Sequence, residues 1–197
     1  MIDNIFTVAN TAVAGAISII LLSLKLRVKR LKCDPIEAQN NIDENIMTAI
    51  DFLCTGLDAD RIVIQEFHNG EKYFSGNSQQ KLSISYEICK KGVSSIFRKF
   101  QNVRVSALSN IIKQSMTDQV LVQLDNEKCS YSYDLQTHGT TSAAFTILKT
   151  LTNKNIGILS IHYVNRNKPK LTEKDKDLIS RQSRIISGYL VSHKITT

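Results

Sequence analysis

Histidines at three places in this chain sit where a side chain could bind or titrate. Glu66-Phe67-His68-Asn69-Gly70 sets an imidazole beside a carboxylate and a flexible glycine, a combination that could titrate near neutral pH. The same residues read first as a plain tight turn, since Asn-Gly is the commonest turn dipeptide, and second as a ligand or switch site. His138-Gly139 lies in a Thr/Ser-rich stretch whose backbone amides could hold a phosphate, although one glycine is no phosphate motif. His162 falls inside an apolar strand pattern, the setting of a packed or hydrogen-bonded imidazole.

Covalent chemistry finds no recognisable machinery. The sequence has no G-x-S-x-G turn, no Walker-type loop and no H-E-x-x-H helix. No His or Cys pair stands at the i, i+3 or i, i+4 spacing that would place two metal ligands on one helical face. Cys33, Cys54, Cys89 and Cys129 are scattered without a C-x-x-C pair, as suits small buried hydrophobes in a reducing compartment. The expectation is a protein that is not an enzyme and carries no metal and no cofactor.

What would position any site starts at the membrane. The chain is uncharged from Asn4 to Leu24 and then carries Lys25, Arg27, Lys29, Arg30 and Lys32. A bilayer core about 30 Å thick needs roughly 20 mostly apolar residues, so this run has the length of a transmembrane helix. A cleavable signal peptide has its charges ahead of the apolar region, the reverse of this order. The basic flank predicts an inner (plasma) membrane protein with a cytoplasmic body. It could also contact anionic headgroups, which makes the lipid bilayer the first expected partner. Setting aside those five cations and Asp3 reduces the net charge from +7 to +3 for the remainder, so no nucleic-acid partner is expected. Thr7, Thr11 and Gly15, with Ala12 and Ala16, form a small-residue ridge on which two spanning helices could pair, pointing to a homo-oligomer.

Beyond residue 32 the patterns become those of an α+β protein. Asp34-Pro35-Ile36-Glu37 has the form of a capped helix start, and Ile36, Ile42, Ile46, Ala49, Ile50 and Leu53 make one apolar stripe on an amphipathic stalk helix ending at Gly56. The stripe needs either the following body or a second copy to cover it. Strands are expected at 61–67, 81–88, 103–105, 143–149 and 156–163, with a hairpin turn at Thr152-Asn153-Lys154-Asn155. Short helices are expected at 93–97 and 106–114. A long C-terminal helix starts at the Thr172…Asp175 cap and carries Leu178, Ile179, Ile185, Ile186, Tyr189 and Leu190 as its apolar stripe. The expected domains are 1–32 (transmembrane anchor and basic flank), 33–57 (stalk helix) and 58–197 (body).

The order of these elements resembles the GAF/PAS family of sensory domains over residues 35 to 193. The segment that carries the resemblance best is Asn155-Ile156-Gly157-Ile158-Leu159-Ser160-Ile161-His162-Tyr163, followed by Leu171-Thr172-Glu173-Lys174-Asp175 and the closing helix. The resemblance implies an antiparallel sheet with covering helices and a small-ligand pocket between them, lined here by Phe67, His68, Tyr86, Ser106 and Thr140. The Asn-Lys-Phe-Asp-Glu signature of the cyclic-nucleotide-binding subset is absent, and no cysteine adjoins a histidine for a bilin. A narrower resemblance is to the T-even phage holins, which set a PAS-like domain on one N-terminal membrane helix. Tyr163-Val164-Asn165-Arg166-Asn167 and the helix from Thr172 to Leu190 carry it, and Glu66-Phe67-His68-Asn69-Gly70 resembles a motif of membrane-anchored tailed-phage proteins. Together these imply a non-enzymatic, phage-encoded membrane protein whose body binds a small ligand or a protein partner. The alternative is a holin that permeabilises the host membrane.

Overall fold

The computed structural model describes residues 17–24, 34–73, 75–76, 78–117, 119–168 and 170–196. Ile42–Ile195 form one compact unit, and the chain up to Asn41 groups apart from it. Residues 17–24 are helical. No helix among the described residues is long and apolar enough to cross a membrane. The remainder of the expected anchor, with its Thr7/Thr11/Gly15 ridge and the flank Lys25, Arg27, Lys29, Arg30 and Lys32, lies outside the described residues.

Helix α1 spans Pro35–Gly56. Its start follows the expected chemistry: Asp34 Oδ1 accepts from the Ile36 amide at 2.9 Å, and Pro35 occupies a position whose missing N–H costs nothing. Gly56, expected to end the helix, is its last helical residue, and the left-handed position falls on Asp58 at φ +50°. Gly56 is small for another reason: a Cβ there would stand 2.7 Å from Leu178 Cδ2. Of the stalk stripe, Ile46, Ala49, Ile50 and Leu53 are buried in the core of the body, whereas Ile36 is exposed. Most of the stripe is therefore covered by the chain's own sheet.

That sheet has six antiparallel strands, β1 Arg61–Lys72, β2 Ser78–Cys89, β3 Val103–Arg104, β4 Val120–Gln123, β5 Thr140–Lys149 and β6 Asn155–Val164, in the order β3-β2-β1-β6-β5-β4. His68-Asn69-Gly70 is not the expected turn. These residues continue β1, with His68 opposite Lys81 and Asn69 opposite Gln80, because β2 begins three residues earlier than its alternation suggested. The expected helix at 93–97 is likewise absent: the Glu87 carboxylate accepts from the amides of Ile96 and Phe97, so a side chain satisfies this segment's backbone. The β5–β6 hairpin forms as expected, with Asn153 at φ +60° in its turn.

Helices α2 (Ser109–Ser115), α3 (Ser130–Gln136) and α4 (Glu173–Thr196) complete the fold. The α4 cap is the predicted reciprocal pair: Thr172 N donates to Asp175 Oδ2 at 3.0 Å and Asp175 N to Thr172 Oγ1 at 3.1 Å. Helices α1 and α4 pack on one face of the sheet, where Ile46, Ile50, Leu53, Ile179 and Ile186 meet Ile62, Ile64, Leu159 and Ile161. Ile185, expected in this stripe, is 46% exposed. The opposite, distal face is covered by α2, α3 and two short 3₁₀ turns around Val63, Leu82, Phe145 and Ile158. Gly157 lets β6 lie close to β1, since a Cβ at this residue would meet the Gln65 carbonyl oxygen at 2.3 Å.

Candidate ligand site on the distal face

Period-two alternation from the first residue of β1 sends Ile62 and Ile64 toward α1 and α4, and Arg61, Val63 and Gln65 toward the distal helices. An arginine thus enters the protein interior, where both it and Gln65 are fully buried. The turn ahead of it is held by charge. Arg166 donates from Nε to Asp60 Oδ2 at 2.8 Å and from Nη1 to Asp58 Oδ2 at 2.6 Å, and Lys90 bonds Asp58 at 2.5 Å. These two cations, Arg166 foremost, lower the Asp58 pKa to about 2.

Arg61 gathers residues from four other parts of the chain. Its Nη1 donates to Thr140 Oγ1 at 3.1 Å and lies 3.2 Å from His162 Nδ1, and its Nη2 donates to the Ser94 carbonyl at 2.9 Å. Glu87 stands 3.7 Å from Nε, close enough for charge attraction without a hydrogen bond. Because a guanidinium only donates, the His162 Nδ1 must accept, which puts the imidazole proton on Nε2. Burial, and after it the charge of Arg61, hold the His162 pKa well below its ordinary value.

Three donors in this layer have no protein acceptor: Arg61 Nε, Gln65 Nε2 and His162 Nε2, all on fully buried side chains. Arg61 stands opposite His162 in the ladder, and Gln65 lies farther along the same face of β1. The other end of Gln65 is occupied, as its Oε1 accepts from the Tyr131 hydroxyl at 2.7 Å. Buried donors left unpaired cost on the order of 1–3 kcal/mol each, so this layer suits an occupant that brings acceptors. Phe100 of the distal core packs edge-on to Tyr131 and His138 with centroids 5.3 and 6.2 Å away. A cleft of about 260 Å³ is lined by Lys99, Phe100, Val103, Asp134, Thr137 and His138, and none of the three donors is among these residues.

The expected site residues divide. Thr140 belongs to the buried layer through Arg61, and Phe67 packs partly buried against the distal core. His68 Nε2 lies 2.9 Å from Ser83 Oγ on the neighbouring strand, and Ser106 is exposed in the 3₁₀ turn. Tyr86 is on the other face, donating to Asp43 of α1 at 2.5 Å. Sequence reasoning missed Arg61, Gln65 and Tyr131. The available signal was an arginine in phase with Val63, directly ahead of the apolar run Ile62-Val63-Ile64.

The buried imidazole sets a pH dependence. His162 stays neutral in the folded chain while its unfolded counterpart protonates below about pH 6.5. Its contribution to stability is therefore complete above about pH 6.5 and is lost as pH falls toward the folded pKa, at up to about 1.4 kcal/mol per pH unit. His138 acts in the same direction, its pKa lowered by burial and then by Lys99 and Arg61. In urea titrations between about pH 5 and 6.5, His162→Gln is expected to remove up to one proton's worth of that slope. An unchanged slope in the variant would place the proton uptake elsewhere.

No protein-family model matches the sequence, and no curated protein does. Solved structures do share its fold. The GAF3 domain of a Synechocystis protein in its photoproduct state superposes with a TM-score of 0.59 at 8% identity, covering 78% of this chain and 96% of that one. A GAF domain/HD domain protein from Geobacter sulfurreducens gives 0.57 at 11% identity, covering 77% and 93%. A far-red-absorbing dark-state domain with bound biliverdin gives 0.53 at 10% identity, covering 80% and 99%. The likeness covers 77–80% of this chain, and on that evidence the chain carries a GAF-like α+β fold.

Proposed function

We propose that this protein is a non-enzymatic, single-pass membrane protein, phage-encoded, whose GAF-like body binds a small acceptor-bearing ligand on its distal face and serves assembly. The observation that carries the binding half is the set of three buried donors without a protein acceptor, Arg61 Nε, Gln65 Nε2 and His162 Nε2, on the distal face. The side chains here favour binding over catalysis. His162 is held neutral, and burial pushes the thiol pKa of Cys89, opposite Arg61 in the ladder, up to about 11, leaving this thiol unready as a nucleophile. The tether rests on the uncharged run and its basic flank, supported by the exposure of every isoleucine and leucine in helical residues 17–24. Phe52 on α1 and Ile185 on α4, about half exposed, are available for assembly.

The tether is tested in bacterial membranes. The full chain should pellet through carbonate washing, a reporter after Thr197 should be active in the cytoplasm, and membrane potential should persist on induction. Ile17→Arg, which adds about 2.5–3.5 kcal/mol to insertion near the bilayer centre, should release the protein. Periplasmic reporter activity with an abrupt loss of potential would favour the holin reading instead. For the ligand, acetate and inorganic phosphate serve as acceptor probes in thermal unfolding of the full chain. A rise in melting temperature with either, abolished in Gln65→Leu, supports the site, and no response to both removes the ligand half of the reading.

A further inference from the structure

The sheet ends in an edge that is only half covered. β4 pairs with β5 over Ser142–Phe145, whereas β5 continues to Lys149. Among the described residues no strand lies on the outer side of Thr146–Lys149, because β4 is the last strand in the sheet order. A groove of about 950 Å³ runs along this stretch, between α4 and the residues that end α2. Its walls carry hydroxyls and cations: Ser183 and Arg184 on α4, and Lys149 at the end of β5. Lys149 and Arg184 are exposed and in no ion pair among the described residues, and no carboxylate occurs among the described lining residues.

We propose that this groove takes an extended acidic peptide segment, added as a strand to the outer edge of β5. An uncovered strand edge offers a row of backbone donors and acceptors, and pairing with another chain is the usual way to satisfy it. The side chains on the two faces of β5 define what the added strand would carry. Leu148 packs into the α1/α4 core and Ile147 into the distal core, so neighbouring residues of an added strand would face α4 and the distal side in turn. On the α4 side they meet the exposed Arg184 guanidinium, which suits carboxylates. On the distal side they meet Ile147 and Met116, the latter 45% exposed, which suit apolar side chains. The site shares no residue with the distal-face ligand layer, so either reading can fail without the other.

The test uses the detergent-solubilised full chain and a fluorescein-labelled Glu-Val-Glu-Val-Glu-Val peptide followed by anisotropy. Saturable binding is expected, weakened about tenfold or more by N-methylating alternate peptide bonds, which blocks strand pairing at constant charge. Arg184→Glu and Lys149→Glu, both substitutions of exposed residues, should weaken it to a similar degree, and Lys-Val-Lys-Val-Lys-Val should not bind. The proposal is overturned by the absence of saturable binding up to about 1 mM, or by equal binding of the N-methylated peptide, which would mean charge attraction alone. Displacement by millimolar inorganic phosphate with no effect of N-methylation would assign the groove to a small phosphate ligand instead.

Discussion

Arg61→Met is expected to destabilise the folded chain by about 3–5 kcal/mol, the range for removing one partner of a buried charge pair. Methionine keeps most of the aliphatic volume, so the loss is electrostatic and not a packing void. Without the guanidinium, Thr140 and His162 Nδ1 lose their donor, the Ser94 carbonyl loses a 2.9 Å bond, and the Glu87 carboxylate stays 6% exposed with no cation beside it. Glu87 keeps its bonds from the Ile96 and Phe97 amides, which hold the carboxylate in place and prevent its escape to water. Urea unfolding of the full chain measures the change. Combining Arg61→Met with Glu87→Gln should cost less than the sum of the two single changes, because the second removes the stranded charge. A loss below about 1 kcal/mol for Arg61→Met alone would show that the layer rearranges around the missing charge.

Ile186→Asp should cost about 4 kcal/mol or more, adding an unpaired buried carboxylate to the lost burial of a whole isoleucine side chain. Ile186 is fully buried where α4 meets α1 and the sheet, in the cluster that contains Ile46, Ile50 and Leu53. The matched control is Ile185→Asp, one residue earlier and 46% exposed, for which a change within about 0.5–1 kcal/mol is expected. Thermal unfolding of the two variants side by side checks the rotation of α4. Equal losses would mean that the helix buries the face between the two residues.

Local patterns made much of this architecture readable. The period-two run of β2, the apolar runs of β5 and β6, the Asp34-Pro35 start of α1 and the Thr172…Asp175 cap of α4 are features of neighbouring residues, so the sequence displays them directly. Short elements escaped notice. Strand β4 has four residues and α3 seven, too few for a period to show, and α3 is capped by Cys129, whose sulfur accepts from the Ser132 amide. His68-Asn69-Gly70 carried a strong turn signal, yet pairing with Gln80 and Lys81 keeps it in the strand, since cross-strand bonds outweigh a dipeptide's local preference.

By itself the sequence determined the apolar N-terminal run with its basic flank, the α+β character, the hairpin and the two long helices, because each follows from composition or periodicity along the chain. Tertiary structure alone decided which face each residue serves. Tyr86 and Thr140, expected together, lie on opposite sides of the sheet, and the stalk stripe is covered mostly by its own body. Burial of Arg61 depends on Glu87, Ser94, Thr140 and His162, residues 26 to 101 positions away. No local pattern encodes such a layer, since the energy that makes a buried charge tolerable comes from partners that only folding brings within hydrogen-bonding distance.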